Sequence, residues 1–233
     1  LAVDVLKKLE PATGEPLLPK ISDQVGSKGT GVWTVNQSLA QEIACPAIAE
    51  AVFFRQLSIL REDRRWAQAL YPKSQSLSTE IDTKELEGSL LTGMLLSFAQ
   101  GFALLAKARK TYRWPLELTQ VAKVWQAGCI IRARLLEKLG DLDAEPNLIF
   151  SKYSYQALEK NQANLRKTVL WALARELPIP VLASCLTYFD TYRTGRLQAN
   201  LLSALRDHFG AHSYQRIDIP GDFHTSWRTE DEY

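Results

Sequence analysis

The amino-acid sequence predicts an all-α fold, and three observations support this class. Apolar residues recur at intervals of three or four positions along most of the 233 residues, which is the spacing of one helix face. No segment shows the strict apolar–polar alternation of a half-buried strand. Hydrophobic residues make up 46% of the chain and charged residues 23%, as expected for a globular protein with a substantial core. We therefore expect a multi-helix domain.

The first half of the chain contains an irregular segment followed by predicted helices. Residues 1–31 carry several prolines and glycines and show no helical period. A helix is expected to begin near Thr34, because Gln37 lies at capping-box spacing from it. Pro46 suits the first turn of the next helix, where its missing N–H costs little. A long helix with one apolar stripe is predicted over 83–110.

The second half continues with helices and ends in a tail. A helix is predicted over 116–139, and Gly128 within it indicates close packing, because glycine costs about 1 kcal/mol relative to alanine inside a helix. Further helices are predicted over three segments, 153–176, 180–193 and 197–209. Gly210 then suits a left-handed residue at a helix end. From Ala211 onward the sequence predicts an irregular arm.

Charge and cysteine content exclude several classes of protein. The net charge is only +2, from 28 basic and 26 acidic residues, without a run of like charge, so we expect no general nucleic-acid binding. The cysteines, Cys45, Cys129 and Cys185, are far apart and lack metal-ligand spacing, which favours reduced thiols in a cytoplasmic protein and no metal site. The longest apolar stretch, around residues 95–105, is interrupted by polar residues, so no membrane span is expected.

Two short motifs in the first third of the chain could bind an anion. Residues 26–31 read Gly-Ser-Lys-Gly-Thr-Gly, so exposed amides could face an anion beside the charge of Lys28 and the hydroxyl of Thr30. A flexible loop before a helix explains the same residues equally well. Arg55 follows an apolar run on a predicted helix. Alone, such an arginine is more often exposed or ion-paired than a ligand.

The three histidines form a cluster near the C-terminus. His208, His212 and His224 occur there together with Arg206 and Arg216. Histidine and arginine suit an anionic substrate near neutral pH. We interpret His208 as a residue of the last helical turn, where the helix dipole favours it. His212 is free to point into a cleft with Arg206, whereas His224 pins the tail.

Five segments, in this order along nearly the whole chain, are typical of one family: GSKGTGVWT, EAVFFRQLS, SFAQGF, WQAGCIIRARLL and RDHFGAHSYQRIDIPGDFHTSW. The chain resembles the C-terminal helical domain of the decarboxylating 6-phosphogluconate dehydrogenases. The resemblance implies an oxidoreductase of gluconate utilization and the pentose phosphate pathway that oxidises 6-phosphogluconate with NADP. A 3-keto intermediate loses carbon dioxide, and ribulose 5-phosphate is formed. A cytoplasmic homodimer with shared active sites is also implied.

The same resemblance assigns residues to the substrate site. Lys28 and Thr30 match the lysine and threonine of the family's KGT loop, and Arg55 matches the arginine that ends EAVFFR; all three would hold the substrate phosphate. Arg206 and His212 match residues that reach the site from the neighbouring subunit. A dianionic phosphate suits several cationic donors of this kind.

The resemblance further implies a domain organisation. Residues 1–209 would form the substrate-binding and dimerisation domain, and residues 210–233 an arm that reaches the partner subunit. The family's Rossmann domain, its first helices, and the lysine and glutamate that act as general base and acid would precede Leu1. No catalytic residue is therefore expected in this chain, and the chain alone should be inactive. The alternative is a non-catalytic helical dimerisation module derived from the family.

Three positions depart from the family's usual pattern. Phe98 stands where the family usually has tyrosine, and Gln126 where it usually has a basic residue. The segment from Leu90 to Met94 replaces an aromatic-tyrosine-lysine pattern. These replacements would alter the polar wall near the active site.

Overall fold

The computed structural model describes residues 2–73 and 80–227 and confirms the all-α class. The helices are α1 (Ala2–Lys7), α2 (Thr30–Ala40), α3 (Pro46–Ser58), α4 (Arg61–Leu70), α5 (Thr83–Tyr112), α6 (Leu118–Gln126), α7 (Lys152–Leu173), α8 (Pro180–Arg193) and α9 (Ala199–Gly210). Short 3-10 turns occupy Leu18–Lys20, Arg134–Lys138 and Leu148–Phe150. An antiparallel hairpin pairs β1 (Tyr214–Gln215) with β2 (Asp222–Phe223). The chain divides into two compact units, residues 1–188 and residues 189–233.

The core of the first unit lies between α5 and α7. A capping box starts α5: Asp82 accepts the amide of Glu85 (2.7 Å), and Glu85 accepts the amide of Asp82 (3.0 Å). Leu95 and Leu96 of α5 and Leu165 of α7 are fully buried. The apolar stripe predicted over 83–110 is only partly the face that α5 buries, because Phe102 is buried whereas Leu86, Leu90 and Met94 are exposed. Burial of the face that carries Leu95 and Leu96 is the main source of stability for so long a helix.

Small and polar residues let α5 and α7 approach closely at one end of their contact. A Cβ atom added at Gly88 would lie 2.3 Å from Nδ2 of Asn164. One residue further along, the hydroxyls of Ser89 and Thr168 lie 2.5 Å apart, and both side chains are buried. These contacts satisfy buried polar groups and fix the position of α5 relative to α7.

The sequence predicted no membrane span, but helix α5 is long and apolar enough to qualify as one. By length and composition alone, α5 could cross a bilayer, but half of its most apolar stretch is buried inside the protein. The core helix of a globular protein has the same length and composition, and α5 is such a helix in this structure.

The helices of the first unit differ from the sequence prediction at several points. The segment 1–31, predicted to be irregular, contains α1 (Ala2–Lys7). The helix expected near Thr34 begins at Thr30, and the Thr34 hydroxyl donates to the Thr30 carbonyl (2.9 Å) instead of capping the helix. The helix predicted over 116–139 ends at Gln126. Gly128 has a φ of 74°, so it lies in a turn and not in a tightly packed helix interior.

The second unit also differs from the sequence prediction at the end of α9. Gly210 belongs to the helix, and the left-handed residue after it is Ala211, with a φ of 50°. The segment predicted as an irregular arm contains the β1–β2 hairpin. The Tyr214 ring packs against Phe223 and Trp227, with ring centroids 6.4 and 5.8 Å apart.

Candidate anion-binding site

The start of α2 presents free backbone amides beside a lysine. Gly29 precedes the helix with a φ of 94°, a left-handed conformation that glycine adopts at little cost. The first backbone hydrogen bond of the helix runs from the Trp33 amide to the Gly29 carbonyl (3.0 Å). The amides before Trp33 therefore lack an acceptor within the helix, and the helix dipole makes this end favourable for an anion. Lys28 and Thr30 are exposed at this end.

Helix α3 packs closely against that first turn of α2. A Cβ atom added at Gly31 would lie only 2.8 Å from Cγ2 of Val52, so the two helices approach where Gly31 has no side chain. Arg55 lies one turn after Val52 on the same face of α3. Its guanidinium Nη2 donates a hydrogen bond to the carbonyl of Gly26, in the loop that leads to Lys28.

Arg55 keeps an unused donor. Its side chain is half-buried, and its Nε atom is buried without a hydrogen-bond partner among the described residues. A buried donor left without an acceptor costs roughly 1–3 kcal/mol. An anion accepting from this atom would remove that penalty and gain a charge-assisted hydrogen bond.

The loop before Lys28 is tied to the junction of α3 and α4. The amide of Val25 donates to Oγ of Ser58 (3.0 Å), and Nε2 of Gln24 donates to the carbonyl of Ile59 (3.2 Å). Arg64 forms an ion pair with Asp23 at 2.8 Å. The hydrogen bond from Arg64 lowers the pKa of Asp23. These contacts hold the loop in the position that brings Gly26 to Arg55.

Gln100 anchors the start of α3 to the core. Its side chain is fully buried, and Oε1 accepts the backbone amide of Ala47 (2.9 Å). Its backbone carbonyl lies 3.5 Å from Sγ of Cys45, whose burial raises the thiol pKa to about 11. Gln100 thus fixes the helix that carries Arg55. The sequence offered one signal for this role, a glutamine inside a mainly apolar stretch of α5.

A buried aspartate organises the end of the second unit. Asp207 has no exposed surface, and its carboxylate accepts hydrogen bonds from the amides of Ser213 (2.9 Å) and Thr225 (3.1 Å), Nδ1 of His224 (2.9 Å) and Nε1 of Trp227 (2.8 Å). Burial alone would raise the pKa of Asp207, but these hydrogen bonds outweigh it and lower the pKa to about 2. Sequence reasoning missed Asp207, because its partners follow it by 6 to 20 residues.

The five predicted substrate residues fall into two groups. Lys28, Thr30 and Arg55 belong to the first unit, at or beside the start of α2. Arg206 and His212 belong to the second unit, near the end of α9, and both are exposed. Among the described residues, neither side chain forms an ion pair or hydrogen bond, so both side chains are free to bind an anion.

The remaining histidines have structural positions. His208 lies in the last turn of α9, as the sequence predicted. His224 joins the tail to Asp207 and thus pins it. No group of three or more histidine, cysteine, aspartate or glutamate side chains within 2–73 and 80–227 is arranged to hold a metal ion.

The departures from the family pattern lie on α5 and α6. Phe98 packs in an aromatic cluster with Phe102 and Trp125, with ring centroids 5.2 to 6.5 Å apart. Gln126 is the last residue of α6 and is half-buried. Met94 is exposed on α5.

Comparison with known proteins identifies relatives along nearly the whole chain. The family model described as 6-phosphogluconate dehydrogenase, C-terminal domain, matches residues 1–227. Two relatives come from Bacillus subtilis (strain 168), an NADP(+)-dependent and an NAD(+)-dependent decarboxylating 6-phosphogluconate dehydrogenase. Each is 38% identical over an alignment of 235 residues that covers 97% of this chain. The match covers 50% of each relative, so the chain spans about half the length of the curated relatives it matches.

A solved structure shows the same fold. The 6-phosphogluconate dehydrogenase of Plasmodium falciparum, described in its apo form, with its cofactor NADP+ and with its substrate 6-phosphogluconate, superposes with a TM-score of 0.88. It is 31% identical, and the match covers 96% of this chain and 50% of that protein.

Proposed function

Because the chain belongs to the 6-phosphogluconate dehydrogenase family, as its C-terminal domain, we propose that it binds the phosphate of 6-phosphogluconate. The whole protein would oxidatively decarboxylate this substrate to ribulose 5-phosphate and carbon dioxide. The observation that carries the proposal is the buried, unpaired Nε atom of Arg55, on the face of α3 that meets the first turn of α2. A phosphate oxygen supplies the acceptor that this donor lacks.

The groups around Arg55 suit a phosphate. The free amides at the start of α2 and the helix dipole favour a dianion. Lys28 adds a mobile positive charge, and the Thr30 hydroxyl adds a donor with adjustable direction. Each group acts by binding and orienting the substrate, so its removal should weaken affinity for phosphorylated ligands.

We assign the second group, Arg206 and His212, to the substrate of a partner subunit in a homodimer. The support is the surface of α9 beside them, where four large apolar side chains are exposed: Leu201, Leu202, Leu205 and Phe209. Phe209 is 91% exposed, which suits an interface with another chain better than contact with water. In a two-fold dimer, Arg206 and His212 of each subunit would reach the substrate site of the other subunit, so the dimer would contain two shared sites.

In this proposal, the chain binds the substrate, and the redox chemistry depends on residues outside the chain. NADP would supply the hydride acceptor for the oxidation. The sheet of the described residues has only two short antiparallel strands, and the chain lacks a dinucleotide-binding glycine turn, so these residues do not fit the main NADP site. We assign that site, and the general base lysine and acid glutamate, to the other half of a cytoplasmic enzyme. Residues 1–209 then serve substrate binding and dimerisation, and residues 210–233 form the arm.

Calorimetric titration of the chain with 6-phosphogluconate tests this function. We expect Arg55→Ala to weaken binding about tenfold or more, because a charge-assisted hydrogen bond contributes roughly 1.5–3 kcal/mol. Arg134→Ala is the matched control, because this substitution removes the same charge at an exposed residue of the 3-10 turn Arg134–Lys138.

Two outcomes would contradict the proposal. Equal affinity of the wild type and Arg55→Ala would remove Arg55 from the site. A chain that forms a dimer in sedimentation but releases no heat with 6-phosphogluconate would favour the non-catalytic dimerisation module.

A further inference from the structure

Asp207 holds both residues that flank His212. Its backbone carbonyl accepts the amide of Ala211 (2.8 Å), and its carboxylate Oδ1 accepts the amide of Ser213 (2.9 Å). Oδ1 also accepts Nδ1 of His224, and the other carboxylate oxygen, Oδ2, accepts from Thr225 and Trp227. Oδ1 therefore joins the turn that carries His212 to the tail, whereas Oδ2 holds the tail alone.

The turn around His212 needs such an anchor. Ala211 and Ser213 have φ values of 50° and 60°, in the left-handed region that side chains other than glycine rarely adopt. Two such residues in a turn of three persist only where surrounding contacts over-determine the backbone. The hydrogen bonds to Asp207 are the contacts that do so here.

The result is a defined position for the imidazole. The His212 ring folds back over the end of α9, so that a Cβ atom added at Gly210 would lie 2.9 Å from Nε2 and 3.0 Å from Cδ2. We propose that Asp207 is a positioning residue that sets the His212 imidazole for contact with the substrate phosphate. The proposal deepens, and rests on, the function proposed above for His212.

The position of the ring can be measured without any ligand. In the wild-type chain we expect a nuclear Overhauser contact between the His212 ring and the Hα protons of Gly210. Asp207→Ala should abolish it. Trp227→Phe should retain it, because that change removes a hydrogen bond to Oδ2 only. If Asp207→Ala does not fold, Asp207→Asn is used. Each carboxylate oxygen of Asp207 accepts two N–H donors, so the NH₂ group of the new side-chain amide faces two donors whichever way the amide is turned. We therefore expect Asp207→Asn also to lose the contact between the His212 ring and Gly210.

Affinity for 6-phosphogluconate then tests the role in binding. We expect Asp207→Ala and His212→Ala each to weaken binding about tenfold, and the double variant to weaken it no further, because both changes remove the same contact. Gly210→Ala should weaken binding similarly, since its methyl group displaces the ring while the Asp207 carboxylate remains. Asp218→Asn is the control, because Asp218 pairs only with Arg216 among the described residues.

The outcomes separate this inference from the function on which it rests. A wild-type contact between Gly210 and His212 that persists in Asp207→Ala would overturn the positioning role. So would a double variant whose loss equals the product of the two single losses. If His212→Ala binds like the wild type while Asp207→Ala still loses the ring contact, the positioning of His212 stands and its proposed role toward phosphate fails.

Discussion

Gly31→Ala should disturb the contact between α2 and α3, which joins the two parts of the phosphate site proposed for the first unit. The new Cβ atom would lie 2.8 Å from Cγ2 of Val52, whereas carbon atoms in contact prefer about 3.5–4.0 Å. Val52 is buried, and its branched side chain has few rotamers, so it cannot turn away. The start of α2 must therefore move about 1 Å away from α3, and hence from Arg55.

The magnitude follows from two opposing effects. Forcing a methyl group into a packed contact costs about 1–3 kcal/mol, whereas alanine is better than glycine inside a helix by about 1 kcal/mol. We expect Gly31→Ala to lower the free energy of unfolding by about 1 kcal/mol. It should also weaken 6-phosphogluconate binding about tenfold, because the α2 amides and Arg55 no longer reach one phosphate together.

A second substitution isolates the steric effect. Val52→Ala removes Cγ2 and should itself cost about 2 kcal/mol, but in its background the alanine at position 31 has room. Gly31→Ala should then become stabilising by about 1 kcal/mol, which gives a coupling energy near 2 kcal/mol. Urea denaturation followed by circular dichroism measures all four proteins. If Gly31→Ala stabilises both backgrounds equally, the close approach of α2 and α3 is refuted.

Three further predictions concern single residues. Ala211→Gly should raise the free energy of unfolding by about 1 kcal/mol in urea denaturation, because glycine adopts the left-handed φ of 50° without strain; no gain would contradict this. Asp207 has a pKa lowered from 3.8 to about 2, so its stabilising effect is complete above pH 4 and lost as the pH falls toward 2. Hairpin resonances of Tyr214 should report that loss between pH 4 and 2, and an unchanged spectrum would exclude it. Leu165→Ala should cost about 2–5 kcal/mol, because Leu165 is fully buried; the exposed Leu170 is the control, and equal costs would place the core elsewhere.

The helices were predictable from sequence where their signals are local. The stripe of α5 repeats every three or four residues, and α3 begins at Pro46 as predicted. The start of α2 was predicted four residues late, because Gln37 happens to lie at capping-box spacing from Thr34 while Gly29 sets the actual start. The helix predicted over 116–139 stops at Gln126, since Gly128 adopts a left-handed turn that its apolar neighbours conceal.

The candidate site shows the same division between local and distant information. The sequence by itself determined the helical class, the family motifs and the cationic residues Lys28 and Arg55, because residue type and spacing are local properties. Only the tertiary structure decided that Arg55 keeps a buried donor without a partner among the described residues, and that Gln100 accepts the amide of Ala47, 53 residues away, at the start of α3. The same holds for Asp207, which binds the tail through hydrogen bonds such as that from Trp227. Those roles depend on which distant backbone amide or carbonyl a side chain meets after burial, and helical periodicity carries no information about that.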